Sequence, residues 1–135
     1  MSYPITDIEG VDSDVATILK SVGIRSTSRL LEAASTVKGR KLLAEKTGFG
    51  EKQLLCWANV ADRMRIKGIS KEYAELLQAA GVDTVKELKY RNPINLARAM
   101  ADANKKRKLV RLLPSEKVVK RWIENAKLLP LKITY

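Results

Sequence analysis

The side chains able to do chemistry are few in kind. The 135 residues include 26 lysines and arginines, 15 aspartates and glutamates, one cysteine and no histidine. Without histidine, Ser-His-Asp and Cys-His nucleophilic machinery, imidazole acid–base catalysis and every histidine-containing metal site are excluded. Cys56 lies beside Trp57 with no basic partner, so it reads as a small core or surface residue, and no internal disulfide can form. Asp7, Glu9, Asp12 and Asp14 match no Ca²⁺ loop and read as helix caps and solvated charge. No active site, metal ion or cofactor is expected. Anion recognition is the chemistry that remains.

Two sequence features could supply it. The first is a set of glycine turns. Glycine, apolar residue, glycine between two helices permits φ > 0 and leaves N–H groups at the start of the second helix, where partial positive charge collects. A phosphate can dock there without a side chain. Gly48-Phe49-Gly50 fits this pattern in full, with Lys52 on the following turn and Glu51 diluting the local field. Gly68-Ile69-Ser70 fits in part, flanked by Lys67 and Lys71. Gly10-Val11-Asp12 keeps the first glycine but sets Asp12 and Asp14 where a phosphate would lie, so it reads as a connector with a helix cap. Leu113-Pro114-Ser115 has no glycine, and any contribution there must come from side chains.

The second feature is charge density. Residues 1–64 hold 9 basic and 8 acidic side chains, a net of +1, whereas residues 65–135 hold 17 and 7, a net of +10. Lys105, Lys106, Arg107, Lys108, Arg111, Lys117, Lys120 and Arg121 form the densest run, and Lys89 to Arg121 contains 11 bases against two acids. Four consecutive bases spread around a helix, but beside Lys117, Lys120 and Arg121 on the next helix they would form one ridge. The helix dipole favours cations at a C-terminus, which accounts for part of this charge and not for its excess. Such a surface suits a polyanion, most simply nucleic acid, held through its backbone with little selectivity and strong salt dependence. Trp57 and Trp122 could stack on bases, but their equivalent places on apolar helix faces assign them to the core.

Helices must position these groups. Ile8 to Leu30 and Ile66 to Leu88 share six of 23 positions at an offset of 58: Ile8, Gly10, Ala16, Leu19, Gly23 and Leu30 recur as Ile66, Gly68, Ala74, Leu77, Gly81 and Leu88. Trp57 and Ala61 recur as Trp122 and Ala126, so the second half carries seven extra residues. Val15, Ile18, Leu19 and Val22 share a face capped by Ser13 or Asp14, and Tyr73, Leu76, Leu77 and Ala80 repeat it after Ser70. Thr36–Lys46 and Glu51–Met64 complete the first half, with Leu54, Trp57, Ala58 and Ala61 inward. Asn92 caps a helix with Pro93 at its first position, running to about Leu109, and Ser115–Lys127 follows. Tyr73 and Tyr90 are expected to be half-buried. The reading is all-α: two related units, 1–64 and 65–128, packed as one body, with a tail, 129–135, whose end could be extended. The start has no basic region followed by an apolar run, and no stretch approaches the roughly 18 apolar residues of a membrane span. A soluble, cytoplasmic protein is expected.

Ile8-x-Gly10-Val11 through Ala16, Leu19 and Gly23-Ile24, with its counterpart Ile66-x-Gly68-Ile69 through Ala74, Leu77 and Gly81-Val82, resembles the helix-hairpin-helix motif. Each half, with its second turn before Trp57 or Trp122, is similar to the N-terminal helix-hairpin-helix domain of archaeal and eukaryotic recombinases. The whole chain, including Arg40-Lys41, Tyr73-Ala74, Asn92-Pro93 and Ile133-Thr134-Tyr135, resembles a small bacterial family known as a domain of unknown function. The resemblance implies tandem helix-hairpin-helix units in each half. It also implies a non-enzymatic, sequence-independent contact with nucleic-acid backbones, duplex DNA ahead of RNA, through turn amides and nearby Lys or Arg. Some copies in that superfamily serve as protein–protein modules instead, so an adaptor docking an acidic partner is the alternative.

Overall fold

In a computed structural model, which describes residues 2–135, local sequence signals set almost every helix boundary. A short 3-10 helix, Ile5–Asp7, precedes α1 (Ser13–Ser21), α2 (Thr27–Ala34), α3 (Val37–Thr47) and α4 (Glu51–Arg63). The chain continues through α5 (Lys71–Ala79), α6 (Val85–Lys89), α7 (Pro93–Arg107) and α8 (Glu116–Leu128). Asp12, one residue before the expected caps, accepts from the Val15 N–H at 2.9 Å and starts α1. Ser26, Thr36, Thr84, Asn92 and Ser115 cap α2, α3, α6, α7 and α8 in the same way. Each satisfies a first-turn donor that the helix itself cannot. The architecture is all-α, and among the described residues no strand forms beyond a single bridge between Pro4 and Ser26.

The apolar faces then pack. α2 lies against α3 and α4, α8 against α6 and α7, and α5 against α7, while α4 also touches α5 and α6 and so joins the halves. One core cluster runs through the molecule, from Ile8, Leu19 and Leu30 through Leu54 and Met64 to Leu77, Leu96 and Ile123. Each such side chain removed from water is worth about 1.5–3 kcal/mol. Trp57 and Trp122 are both buried, as their positions on apolar faces require. Ile18 and Tyr90 depart from expectation: Ile18 is 39% exposed, and Tyr90, in the irregular link between α6 and α7, is 81% exposed.

Two pairs of helices match in length, while α2 and α6, and α3 and α7, do not. α1 and α5 have nine residues each and begin 58 apart; α4 and α8 have thirteen each and begin 65 apart. Gly10 and Gly68 both have φ near +90° and both lie against a tryptophan indole, that of Trp57 or Trp122.

Three arginines are held by internal carbonyl groups. Buried Arg40 donates to the carbonyls of Ala34 at 2.9 Å and Thr134 at 2.6 Å. Arg63, buried so deeply that desolvation pulls its pKa down, donates to the Asp83 carbonyl. Arg65 pairs with buried Asp62 and reaches the Pro130 carbonyl at 3.1 Å. Thr134 N–H donates to the Ser35 carbonyl, and Tyr135 Oη bonds to Asn59 Oδ1 at 3.0 Å. The tail therefore forms a strap that runs back from α8 to the first half.

Candidate functional site

α4 and α5 differ from the other helices at their N-termini. Gly50 and Ser70 occupy the cap positions, and neither supplies a side-chain cap bond. The first-turn amides of these helices have neither a helical acceptor nor a capping side chain. These helices follow the two glycine turns singled out by sequence. The apolar residue in the middle of each turn is committed elsewhere. Ile69 is fully buried and its N–H donates to the Ile66 carbonyl at 3.0 Å. Phe49 is half-buried, its ring edge-on to Trp57 at 5.2 Å, and its N–H reaches Thr47 Oγ1. Both anchor their turns, leaving the amides that follow as the exposed donors.

Gly68 sets the position of the third turn. A Cβ added there would lie 3.1 Å from Trp122 Nε1, and its φ of +93° disfavours any other residue. The turn thus sits directly against α8. A cleft of about 550 Å³ opens at this junction, and it gathers Lys67 and Gly68 from the turn with Ser115 and Arg121 from the start of α8. Tyr73, Leu112, Leu113 and Trp122 form its apolar wall, and no carboxylate lines it. A second concavity, of about 740 Å³, shares Tyr73 and Leu112 and is also lined by Lys108, Arg111 and Glu72.

Lys71, Lys105, Lys106, Lys117 and Lys120 are all exposed, and they line neither hollow. Among the described residues, no ion pair joins any of these five, or Lys67, Lys108, Arg111 or Arg121, to a carboxylate. Arg107 is different, since its guanidinium lies 3.9 Å from Glu9 and is partly neutralised. Glu75 sits nearby, and burial and then the Glu9 charge raise its pKa, while Lys71 and Arg107 oppose the rise. Gly48, Gly50 and Lys52 lie away from the cleft; Lys52 lines a separate hollow of about 270 Å³ with Cys56, Asn59, Arg63, Gln78 and Asp83. Asp7, Glu9, Asp12 and Asp14 do not gather with other acids into a metal-binding group among the described residues.

Sequence reasoning missed how the segment between α7 and α8 is held. Lys108 takes a left-handed conformation, φ 49°, and its N–H donates to the Asn104 carbonyl. Asn104 then brackets Val110, its Nδ2 donating to the Val110 carbonyl and its Oδ1 accepting from the Val110 N–H, both at 3.0 Å. Tyr73 Oη donates to the Leu112 carbonyl at 2.9 Å. No local pattern marks Asn104 or Tyr73 for these tasks, because their partners lie 6 and 39 residues away.

The fold and the site together define an all-α protein whose second half carries an acid-free basic cleft. The chain belongs to the family described as Domain of unknown function (DUF4332), which matches residues 9–129. No significant match exists among curated proteins or solved structures. No helix among the described residues is long and apolar enough to cross a membrane.

Proposed function

We propose that this protein is a non-enzymatic module that binds nucleic-acid backbones without reading sequence, with duplex DNA as its preferred form. We further read the two halves as copies of one unit, each a degenerate tandem helix-hairpin-helix, of which the second does the binding. The observation that carries the reading is the acid-free cleft that Lys67 and Arg121 both line, with Lys108 and Arg111 in the adjoining hollow. Lys67 and Arg121, sharing a cleft that no acid lines, repel one another, and a chain of phosphates relieves that repulsion. The uncapped amides at the start of α5 add donors beside the same turn. Lys105, Lys106, Lys117 and Lys120 extend the positive surface and raise affinity without specifying sequence.

Anisotropy of labelled duplex DNA, titrated at several salt concentrations, tests this. Each phosphate neutralised contributes about −0.9 to the slope of log K against log salt, so four or five contacts give a slope of about −4. Replacing Lys105, Lys106, Arg107 and Lys108 by Glu abolishes binding while helical circular dichroism stays unchanged. Retained binding sinks the assignment.

An adaptor that docks an acidic protein partner is a second reading. It is favoured by the internal engagement of the Val11 and Ile69 amides, which are lost to phosphate at the turns of Gly10 and Gly68. A complex recovered from nuclease-treated lysate and insensitive to salt would support it.

A further inference from the structure

The segment 108–115 has a feature that backbone binding does not use. Leu112 is 76% exposed and Leu113 41% exposed, in the middle of the densest positive charge in the chain. Leucine exposed in isolation is unremarkable on a protein surface. Here, however, the backbone beneath the pair is pinned: Asn104 brackets Val110, and Tyr73 holds the Leu112 carbonyl. The loop presents an ordered apolar tip, with Leu112 standing between the two hollows. On one side are Lys108 and Arg111, and on the other Lys67 and Arg121.

We infer that Leu112 and Leu113 form a wedge for an opened base step, so that the protein prefers duplex DNA carrying an unpaired base over continuous duplex. The inference rests on the nucleic-acid reading above. An apolar tip can enter a stack only where a step is already loosened or can be, and unstacking a continuous duplex costs a few kcal/mol that an unpaired base does not demand. Cations on both sides of the tip suit phosphates on both sides of the opened step. The apolar wall beside it, with Tyr73, Leu113, Pro114 and Val118, suits the face of the base that has left the stack. An anionic membrane surface also combines negative charge with apolar depth. It would, however, make no use of the cleft beside the tip.

The test compares a continuous duplex with the same duplex bearing one bulged 2-aminopurine, using the full chain and the variant Leu112→Ser/Leu113→Ser. Both leucines are exposed, so the fold is retained, and circular dichroism verifies this. The wild type is expected to bind the bulged duplex about tenfold more tightly and to change the 2-aminopurine fluorescence, as expected for stacking worth about 1–3 kcal/mol. The serine variant is expected to lose the preference and bind both duplexes alike. Equal wild-type affinity for both duplexes, or a preference that survives in the serine variant, overturns the wedge and leaves backbone binding standing. Absence of binding to either duplex overturns the nucleic-acid reading itself. Wild-type partitioning to phosphatidylglycerol vesicles that the serine variant loses, with no bulge preference, assigns the tip to a membrane surface.

Discussion

The two tryptophans are covered in different ways. Trp57 in the first half is met by Phe49, which comes from the three-residue turn between α3 and α4. Trp122 in the second half is met by Tyr73, which comes from α5, with ring centroids 5.3 Å apart. The segment between α7 and α8 thus has no aromatic to deliver to the core, and it runs for eight residues, 108–115, where its counterpart has three. Charge follows the same division: a net +1 over residues 1–64 and +10 over residues 65–135. Two cations of the first half, Arg40 and Arg63, are moreover buried and donate to carbonyl groups. A turn that must plug the core has little freedom to carry charge. A turn relieved of supplying that ring can be lengthened, and this one carries Lys108 and Arg111 with no acid.

The difference can be broken or sharpened experimentally. The largest contrast is expected from charge reversal on either side. Lys38→Glu, Lys41→Glu and Lys46→Glu together remove three exposed cations from the first half, and duplex affinity is expected to fall by less than about tenfold through the general field. Reversal at Lys105, Lys106, Arg107 and Lys108 is expected to lower it by at least about 10³-fold at moderate salt. Fluorescence anisotropy at one salt concentration reads both. Equal losses would mean that total charge, not the second half, governs binding.

Phe49→Ala is expected to cost about 2–3 kcal/mol, because it strips a half-buried ring from Trp57. Tyr73→Phe keeps its ring on Trp122 and loses only the bond to Leu112, so about 1 kcal/mol or less is expected. Urea denaturation compares the two. A large loss for Tyr73→Phe would show that the loop is part of the structural core rather than an appendage on it.

Gly68→Ala is expected to destabilise more than Gly10→Ala. Both positions have φ near +90°, which costs about 1–2 kcal/mol in itself, but the added methyl meets Trp122 at 3.1 Å and Trp57 at 3.4 Å. Thermal melts of the pair measure how much tighter the second half is at this junction.

The smallest effect belongs to Glu75, whose pKa burial and Glu9 raise above the ordinary carboxylate value. An acid with a raised folded pKa penalises the folded state when ionised. The penalty is present above the folded pKa and vanishes as pH falls below the unfolded value near 4.5. Glu75→Gln is therefore expected to stabilise slightly at neutral pH, by no more than about 0.5 kcal/mol given its partial exposure, and to be neutral at low pH. Melts at two pH values check the sign.

Much of this was legible along the chain. Helix starts at Thr36, Asn92 and Ser115 and stops at Gly23, Gly48 and Gly81 are local signals, read within four residues, whereas α1 is capped by Asp12 rather than Ser13 or Asp14 and Ser70 holds its cap position without a side-chain bond. Hence the helices and the buried tryptophans could be derived, and the run of bases from Lys105 to Arg121 was plain. The cleft was not, because Lys67 and Arg121 meet only after Gly68 has set the third turn against Trp122. Arg107 looked like any other base of the ridge until Glu9, from the far end of the chain, came beside it. Exposure of Tyr90 and the strap of residues 129–135 likewise depend on long-range packing, which periodicity does not encode.

The central claim is that the second half binds and the first half supports it. Titrating unlabelled duplex DNA into ¹⁵N-labelled protein tests this most directly, by following backbone amide shifts. Perturbations are expected to concentrate at Lys67–Tyr73 and Asn104–Arg121, with α1, α2 and α3 unchanged. Shifts centred on Gly48–Lys52 or the α1 surface, or none at DNA concentrations that saturate anisotropy, would contradict it.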